Sequence, residues 1–380
     1  MHGPFPSGET GHKSERALSA GSVAPEERVD LTTILTVAEL QAIAGRRLPA
    51  GAYTYVAGGA GDERTMQDNL DAFARWRFLP RVLVDTSARD LSTTILGQRV
   101  ATPVGIAPFA LQCLLDPEGE VAMARAASAA GTFMVLSMGA NRTLEDVAAA
   151  ATCPLWFQPY VSADHGVMRD LAARAEAAGY AALCVTVDSP VSGRREGAIR
   201  TPADLPEGVI WANMPPDLRI PGGRRWLAGG DAFDWEDLDR LMATTSLPLV
   251  IKGILSPLDA VLAVEHGARL VVVSNHGGRQ LDDSIATLDA LPAVVDAVAG
   301  RAEVILDGGI RRGNDVLKAL ALGARAVLIG RPAAWGLAGG GQAGVERVLE
   351  LLHTELSVAM AIAGVTTVQQ VDRRLVVTRP

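Results

Sequence analysis

Short runs of hydrophobic, often β-branched residues recur along the chain from about residue 103, and helical stretches rich in alanine separate them. The runs are continuously apolar rather than alternating. This pattern is typical of strands that are buried on both faces of a parallel sheet. It predicts eight strands: Pro103–Ala107, Thr132–Ser137, Leu155–Gln158, Ala182–Val187, Leu249–Lys252, Leu270–Ser274, Val304–Leu306 and Ala326–Ile329.

The stretches between these runs have the periodicity of amphipathic helices, and several are followed by glycine, which commonly terminates helices. Upstream of the first strand, Thr36 followed by Glu39 predicts a capping box for a helix that begins at Val37. The helices predicted between the strands include Glu118–Ala130, Val167–Ala178, Pro257–Glu265, Leu288–Val298 and Asp315–Leu322.

Eight strand–helix units in one chain predict the α/β class and a (β/α)8 TIM barrel with an N-terminal helical extension. A doubly wound sheet is disfavoured because no GxGxxG follows the first strand. We expect one domain over residues 31–380 and a mobile leader over residues 1–30, which are rich in Gly, Ser, Pro and charged residues. A long segment after the fourth strand, about residues 189–235, predicts a lid.

Charge and composition narrow the classes of partner. The formal net charge of −8 disfavours nucleic acid, and no apolar run reaches the ~18 residues that span a membrane. Cys113, Cys153 and Cys184 form no CxxC pair and no cluster with metal-ligand spacing, so we expect free buried thiols and no metal. Free thiols are typical of a cytoplasmic protein.

Polar residues gather where the predicted strands end, which is where TIM barrels carry their chemistry. Glycines and arginines follow the last two strands at residues 307–311 and 330–331. Loops at these two positions commonly bind a phosphate group. His276, beyond the sixth strand, is a candidate general base with Asp188 as its hydrogen-bond partner, and Arg279 is suited to a carboxylate.

These residues form longer motifs. Residues 274–282 read SNHGGRQLD and residues 306–313 read LDGGIRRG, and residues 186–188, 193–196, 251–253 and 116–120 add shorter matches. From about residue 40 to about residue 364 the chain resembles the FMN-dependent α-hydroxy acid oxidases and dehydrogenases, which include glycolate, lactate and mandelate oxidases.

The resemblance implies a role for each matching residue. His276 would be the base, with Asp188 as its partner. Arg279 and Tyr55 would bind the substrate carboxylate, Tyr160 its hydroxyl or keto oxygen, and Arg195 would be a further cation at the mouth. FMN would be held as follows: Lys252 at the N1/O2 edge of the flavin; Gln158, Thr186 and Ser137 at the ring; Pro108, Phe109 and Ala110 behind N5; Ser274 at the ribityl chain or ring; and Asp307, Gly309, Arg311, Gly330 and Arg331 at the ribityl chain and phosphate.

Two departures from the family pattern bear on the substrate. Gly139 stands where glycolate oxidase-like members carry tryptophan, so either a bulky or aromatic substrate or a neighbouring side chain fills the space. Phe109 is one candidate for that neighbour. The segment after Glu196 also departs from the family's sequence, and it contains Trp211 and Trp226.

The resemblance predicts an FMN-dependent oxidation of an (S)-2-hydroxy acid to the 2-oxo acid, with O2 as the electron acceptor and H2O2 as its product. Alternatives are a dehydrogenase or a monooxygenase of the same family, and a non-redox FMN barrel enzyme such as an isomerase. The family also implies a homo-oligomer, a tetramer or an octamer.

Overall fold

A computed structural model of the protein describes residues 29–161, 164–206, 209–216 and 233–378. Most of the predicted leader, residues 1–28, lies outside these ranges. So do residues 207–208 and 217–232 of the predicted lid. The extent of the single domain and the leader therefore remain predictions.

Three helices precede the first strand: α1 (Val37–Arg47), α2 (Ala50–Ala57) and α3 (Arg64–Arg75). The predicted cap of α1 is confirmed, since the Thr36 side chain accepts a hydrogen bond from Glu39 N at 3.3 Å. The Glu39 carboxylate in turn accepts from Leu35 N at 2.9 Å. Strand β1 (Trp76–Phe78) and an antiparallel hairpin, β2 (Thr93–Ile95) and β3 (Gln98–Val100), follow these helices.

The next eight strands run parallel and close into a barrel in chain order. They confirm the predicted (β/α)8 architecture and match the eight predicted runs. The fifth barrel strand continues two residues past Lys252, with a register irregularity between Lys252 and Ile254 that the sequence did not indicate. The barrel strands are β4 (Val104–Ile106), β5 (Met134–Ser137), β6 (Leu155–Gln158), β7 (Ala182–Thr186), β8 (Leu249–Ile254), β9 (Leu270–Val273), β10 (Glu303–Asp307) and β11 (Val327–Ile329).

Helices surround the barrel, and the last strand, β12 (Val376–Thr378), pairs with β1. The helix predicted over Pro257–Glu265 has those bounds. The long last helix is kinked at Gly340 and Gly341. These helices are α4 (Glu120–Ala129), α5 (Leu144–Ala150), α6 (His165–Ala177), α7 (Glu196–Arg200), α8 (Trp235–Met242), α9 (Pro257–Glu265), α10 (Thr287–Val298), α11 (Gly313–Ala321) and α12 (Arg331–Ala363).

The barrel interior is a packed core rather than a channel. The rings of Phe133 and Trp156 lie 4.8 Å apart inside it. Ile95 and Val100 of the β2–β3 hairpin join the same cluster of buried side chains. Leu96 N of the hairpin donates to Glu303, the first residue of β10, so the hairpin packs at the amino-terminal end of the strands.

The cysteines are less buried than the sequence predicted. Cys184 is buried, but Cys113 and Cys153 are partly exposed, so the expectation of three buried thiols was wrong for two of them. Within the described ranges, no helix is long and apolar enough to cross a bilayer.

The α1 cap yields a prediction about stability. Replacing Thr36 by Ala should lower the free energy of unfolding by about 1 kcal/mol, because one helix N–H loses its acceptor. Thr36→Ser keeps the hydroxyl and should stay close to wild type in a denaturant titration. Equal losses in both variants would contradict the capping role.

Candidate active site

A cavity of about 780 Å³ opens at the carboxyl-terminal ends of the barrel strands. Most of the predicted site residues line it. Ser137, Gln158, Thr186 and Ser274 are instead fully buried at the strand ends, and Asp188 is also outside the cavity wall. The predicted residues in the wall are Tyr55, Pro108, Phe109, Ala110, Gly139, Tyr160, Arg195, Lys252, His276, Arg279, Asp307, Gly309, Arg311, Gly330 and Arg331.

Lys252 is the charged group at the centre of the site. Its ammonium lies 3.0 Å from Asp307 Oδ2 and donates to Ser274 Oγ at 2.8 Å. Both partners of the ion pair are nearly inaccessible, with Lys252 3% and Asp307 6% exposed. Burial by itself would lower the pKa of Lys252, but the charges of Asp307 and Asp188 outweigh it and raise that pKa. Lys252 is therefore a permanent cation.

His276 and Asp188 form the pair that the sequence predicted. Nδ1 of His276 lies 3.0 Å from Asp188 Oδ1. Ser189, which sequence analysis missed, donates from Oγ to the same carboxylate oxygen at 3.1 Å and lies 3.4 Å from His276 Nδ1. Its only sequence signal was its place next to Asp188.

The surroundings keep this pair in a definite protonation state. Burial, together with the charges of Lys252 and Arg279, lowers the pKa of His276 below its usual 6.5, against the opposing effect of Asp188. Burial would raise the pKa of Asp188, but the interactions with His276 and Lys252 lower it to about 2. At neutral pH the imidazole is therefore neutral and donates Nδ1–H to an ionised carboxylate, which leaves Nε2 as an acceptor.

A pair of buried amides fixes the loop that carries His276. Asn69 on α3 donates to Asn275 Oδ1 at 2.9 Å, and Asn275 donates back to Asn69 Oδ1 at 2.9 Å. The His276 backbone has a φ of 58°, and its N–H donates to Ser274 Oγ at 3.1 Å. Asn69 was not among the predicted site residues because its contact depends on how α3 packs against the barrel.

Arg279 is held by main-chain carbonyls. Its Nη1 donates to the carbonyls of Tyr55 and Gly58, both at 2.8 Å, and its guanidinium lies 5.3 Å from the centre of the Tyr55 ring. Burial and the nearby Arg195 lower the pKa of Arg279 to about 10. Within the described residues no carboxylate forms an ion pair with Arg279, so its charge is available to a ligand.

Tyr160 lies beside the imidazole. The two rings are 6.2 Å apart and nearly parallel. Burial and the neighbouring Tyr55 raise the pKa of Tyr160 to about 12, so its hydroxyl remains protonated and can donate a hydrogen bond.

Arg331 has a structural role that the sequence did not reveal. Its three guanidinium nitrogens donate to the carbonyls of Val56, Gly277 and Gly58 at 2.9–3.0 Å. Burial and the charges of Arg279 and Arg311 lower its pKa to about 9. Five arginines line the cavity, and Arg194 pairs with Glu196 at 2.9 Å. The other four, Arg195, Arg279, Arg311 and Arg331, form no ion pair with a carboxylate in the described part of the chain. Such an excess of positive charge favours anionic ligands.

The glycines after β10 allow a close approach of two backbones. Gly309 has a φ of 79°, and a Cβ there would lie 2.0 Å from the Asn69 carbonyl oxygen. Only glycine fits at this position, and Gly309 lines the cavity together with Arg311 and Arg331.

Three buried polar atoms at strand ends have no hydrogen-bond partner among the described residues. They are Gln158 Nε2 at the end of β6, Thr186 Oγ1 at the end of β7 and Asp307 Oδ1 at the end of β10. Leaving such an atom unsatisfied costs about 1–3 kcal/mol. Asp307 lines the cavity, where a ligand with polar atoms can supply the missing partner. The arginines and Gly309 line the same cavity, so the site fits a polar ring system that carries a phosphate, as FMN does.

The space beside Gly139 is occupied by the chain itself. A Cβ at Gly139 would lie 2.9 Å from Ala110 Cβ and 3.6 Å from Trp211 Cε2. Phe109, the candidate named from sequence, is not among the nearest atoms. The bulky neighbour is therefore Trp211, which the structure places in the cavity wall.

Fold and site together define an α/β-barrel enzyme with a cavity for an anionic ring cofactor. Residues 44–378 match the model of the FMN-dependent dehydrogenase family. The chain belongs to this family, binds FMN and oxidises a 2-hydroxy acid.

Similar proteins agree with this assignment. The chain is 50% identical to an L-lactate oxidase of Nostoc sp. over 90% of this chain and 98% of the relative. It is 45% identical to the glycolate oxidase of Spinacia oleracea, over 90% of this chain and 95% of the relative. A crystal structure of mandelate oxidase superposes with a TM-score of 0.85 at 43% identity, and the match covers 91% of this chain and 99% of that one.

The close approach at Gly309 yields a second prediction. Gly309→Ala should weaken FMN binding at least about 10-fold, equal to about 1.4 kcal/mol, because the loop must move away from Asn69. The bound flavin per protein after dilution measures the loss. Gly300→Ala is the control, since Gly300 also has a positive φ of 73° but no atom within 4 Å of its Cβ position. A similar loss of flavin in both variants would show that backbone strain alone is responsible.

Proposed function

We propose that this protein is an oxidase that converts an (S)-2-hydroxy acid to the 2-oxo acid and delivers the electrons to O2, which leaves as H2O2. The observation that carries the proposal is a neutral imidazole, His276, beside a guanidinium, Arg279, that has no carboxylate partner among the described residues; both are on one loop and line one cavity. The names of the related lactate, glycolate and mandelate oxidases support O2 as the acceptor.

FMN, when bound, accepts the two electrons that leave the substrate carbon. The buried cation of Lys252 suits the N1/O2 edge of the flavin, where negative charge develops on reduction. The remaining residues that we propose to hold FMN are Gln158, Thr186 and Ser137 at the ring, Pro108, Phe109 and Ala110 behind N5, and Ser274, Asp307, Gly309, Arg311, Gly330 and Arg331 along the ribityl chain and phosphate.

Arg279 and Tyr55 are proposed to bind the substrate carboxylate. Because both hydrogens of Arg279 Nη1 are used by main-chain carbonyls, Nε and Nη2 are the nitrogens that can form a two-pronged contact. Tyr160 is proposed to donate to the hydroxyl or keto oxygen. Arg195 adds positive charge at the mouth.

His276 is proposed to accept a proton from the substrate at Nε2. Asp188 fixes the tautomer through Nδ1 and stabilises the imidazolium that forms. Ser189 helps to orient the carboxylate. In this arrangement the base is neutral before the reaction and its positive charge is stabilised afterwards.

Anaerobic mixing with a panel of 2-hydroxy acids tests the proposal through loss of the flavin absorbance. His276→Ala should retain FMN but slow this reduction by about 10²- to 10⁴-fold, the usual contribution of a general base. His353→Ala, at an exposed position on α12, is the control and should react like wild type. Normal bleaching in the His276 variant would refute its assignment as base.

Other outcomes separate the alternative functions. H2O2 release during aerobic turnover identifies an oxidase, and its absence with intact anaerobic bleaching indicates a dehydrogenase or a monooxygenase. A wild-type flavin that no 2-hydroxy acid bleaches would refute the proposed function.

The pKa shifts predict the pH profile of kcat/KM. The neutral form of His276 is needed, so activity should fall as the pH decreases through a pKa below 6.5. The charged form of Arg279 is needed, so activity should also fall as the pH rises through about 10. Flavin content across the range controls for unfolding, and an acidic limb well above 6.5 would contradict the neutral base.

We also propose a cellular location and an oligomeric state, neither of which affects the chemistry. The three free thiols support a cytoplasmic location. Exposed apolar side chains, among them Val82, Leu83 and Ile362, support a homo-oligomer, a tetramer or an octamer. Light scattering of the purified protein measures the assembly.

A further inference from the structure

Trp211 enters the substrate end of the cavity from the long segment after β7. Its side chain is 5% exposed and shares the cavity wall with Tyr160, Arg195 and His276. The edge of its indole lies 3.6 Å from where a Cβ of Gly139 would be. A larger side chain at position 139 would therefore compete with Trp211 for the same space.

The residues around Trp211 are fixed to the loop after β5. Ala212 N donates to the Ala140 carbonyl at 3.0 Å, and Asn141 donates from its side chain to the Ile210 carbonyl at 2.9 Å. Asn213 accepts from Leu144 N at 2.8 Å. Trp211 is thus held in place by hydrogen bonds on both sides, which gives its ring a defined position rather than a transient one.

The indole also offers an unused donor. Trp211 Nε1 is buried and has no hydrogen-bond partner among the described residues. Buried indole N–H groups usually find a partner, because an unpaired one loses its hydration without compensation. The cavity that Trp211 lines is the place from which a ligand could supply an acceptor.

We propose that Trp211 is a specificity-determining residue that limits the substrate to short aliphatic 2-hydroxy acids and donates its indole N–H to an oxygen of the bound acid. The inference rests on the proposed function. The sequence left two explanations open for Gly139. Under this proposal, a side chain of the protein fills the space beside Gly139, and no room is left there for an aromatic group of the substrate.

The test compares kcat/KM for (S)-lactate and (S)-mandelate in wild type, Trp211→Ala and Trp211→Phe. Wild type should prefer lactate. Trp211→Ala removes the ring and should shift the preference toward mandelate by about 10-fold or more, the usual effect of pocket volume on selectivity. Trp211→Phe keeps most of the volume, so it should retain the preference for lactate while losing about 2- to 10-fold in kcat/KM through the missing hydrogen bond.

Trp235→Ala is the matched control, because Trp235 stacks on His266, outside the cavity wall. It should leave the ratio of the two substrates unchanged. Flavin content and anaerobic bleaching are measured for every variant. Equal changes for both substrates in Trp211→Ala, or wild-type kinetics in Trp211→Phe, would overturn the corresponding part of the proposal.

Binding without turnover separates this proposal from the proposed function. Pyruvate and benzoylformate are 2-oxo acids of the two sizes, and their affinities follow from the perturbation of the flavin spectrum. A preference for pyruvate that Trp211→Ala reverses would support the role of Trp211 even if no hydroxy acid were oxidised. Unchanged relative affinities in Trp211→Ala would refute it even in an active oxidase.

Discussion

The site depends on the burial of one positive charge at the barrel mouth. A buried ammonium is strongly destabilising unless it is paired and hydrogen-bonded. Lys252 on β8 meets Asp307 at the end of β10 and Ser274 after β9. These contacts hold only in one register, because a slip by one residue would turn a side chain to the other face of the sheet. The register of the three neighbouring strands and the position of the buried charge therefore determine each other.

The same charge sets the protonation of the groups around it. Lys252 helps to keep Asp188 ionised and His276 neutral, although the two are hydrogen-bonded to each other. A carboxylate beside an imidazole would ordinarily favour the protonated ring. Burial and the two nearby cations reverse that preference, so a base is available in a cavity whose arginines attract anions.

Much of this could be predicted from the sequence, since apolar runs and helical periodicity are local signals. The eight strands and the helix Pro257–Glu265 were identified in this way, and the position of polar residues at strand ends indicated His276 and Lys252. Ser189, Asn69 and the position of Trp211 were missed because their partners are set by tertiary packing. Asn69 and Asn275 are 206 residues apart, a contact that no local pattern encodes.

Arg279 and Arg331 donate hydrogen bonds to carbonyl groups at the end of α2. The donor and acceptor residues are 221 to 275 positions apart in the sequence. Contacts between such distant segments form slowly, because a long loop must close before they contribute. During synthesis, the end of α2 must remain without Arg331 as a partner until the final barrel strand has emerged. The entrance to the cavity is thus assembled from a helix that precedes the barrel and from residues that follow its sixth and eighth strands, so it is complete only after the last barrel strand has formed.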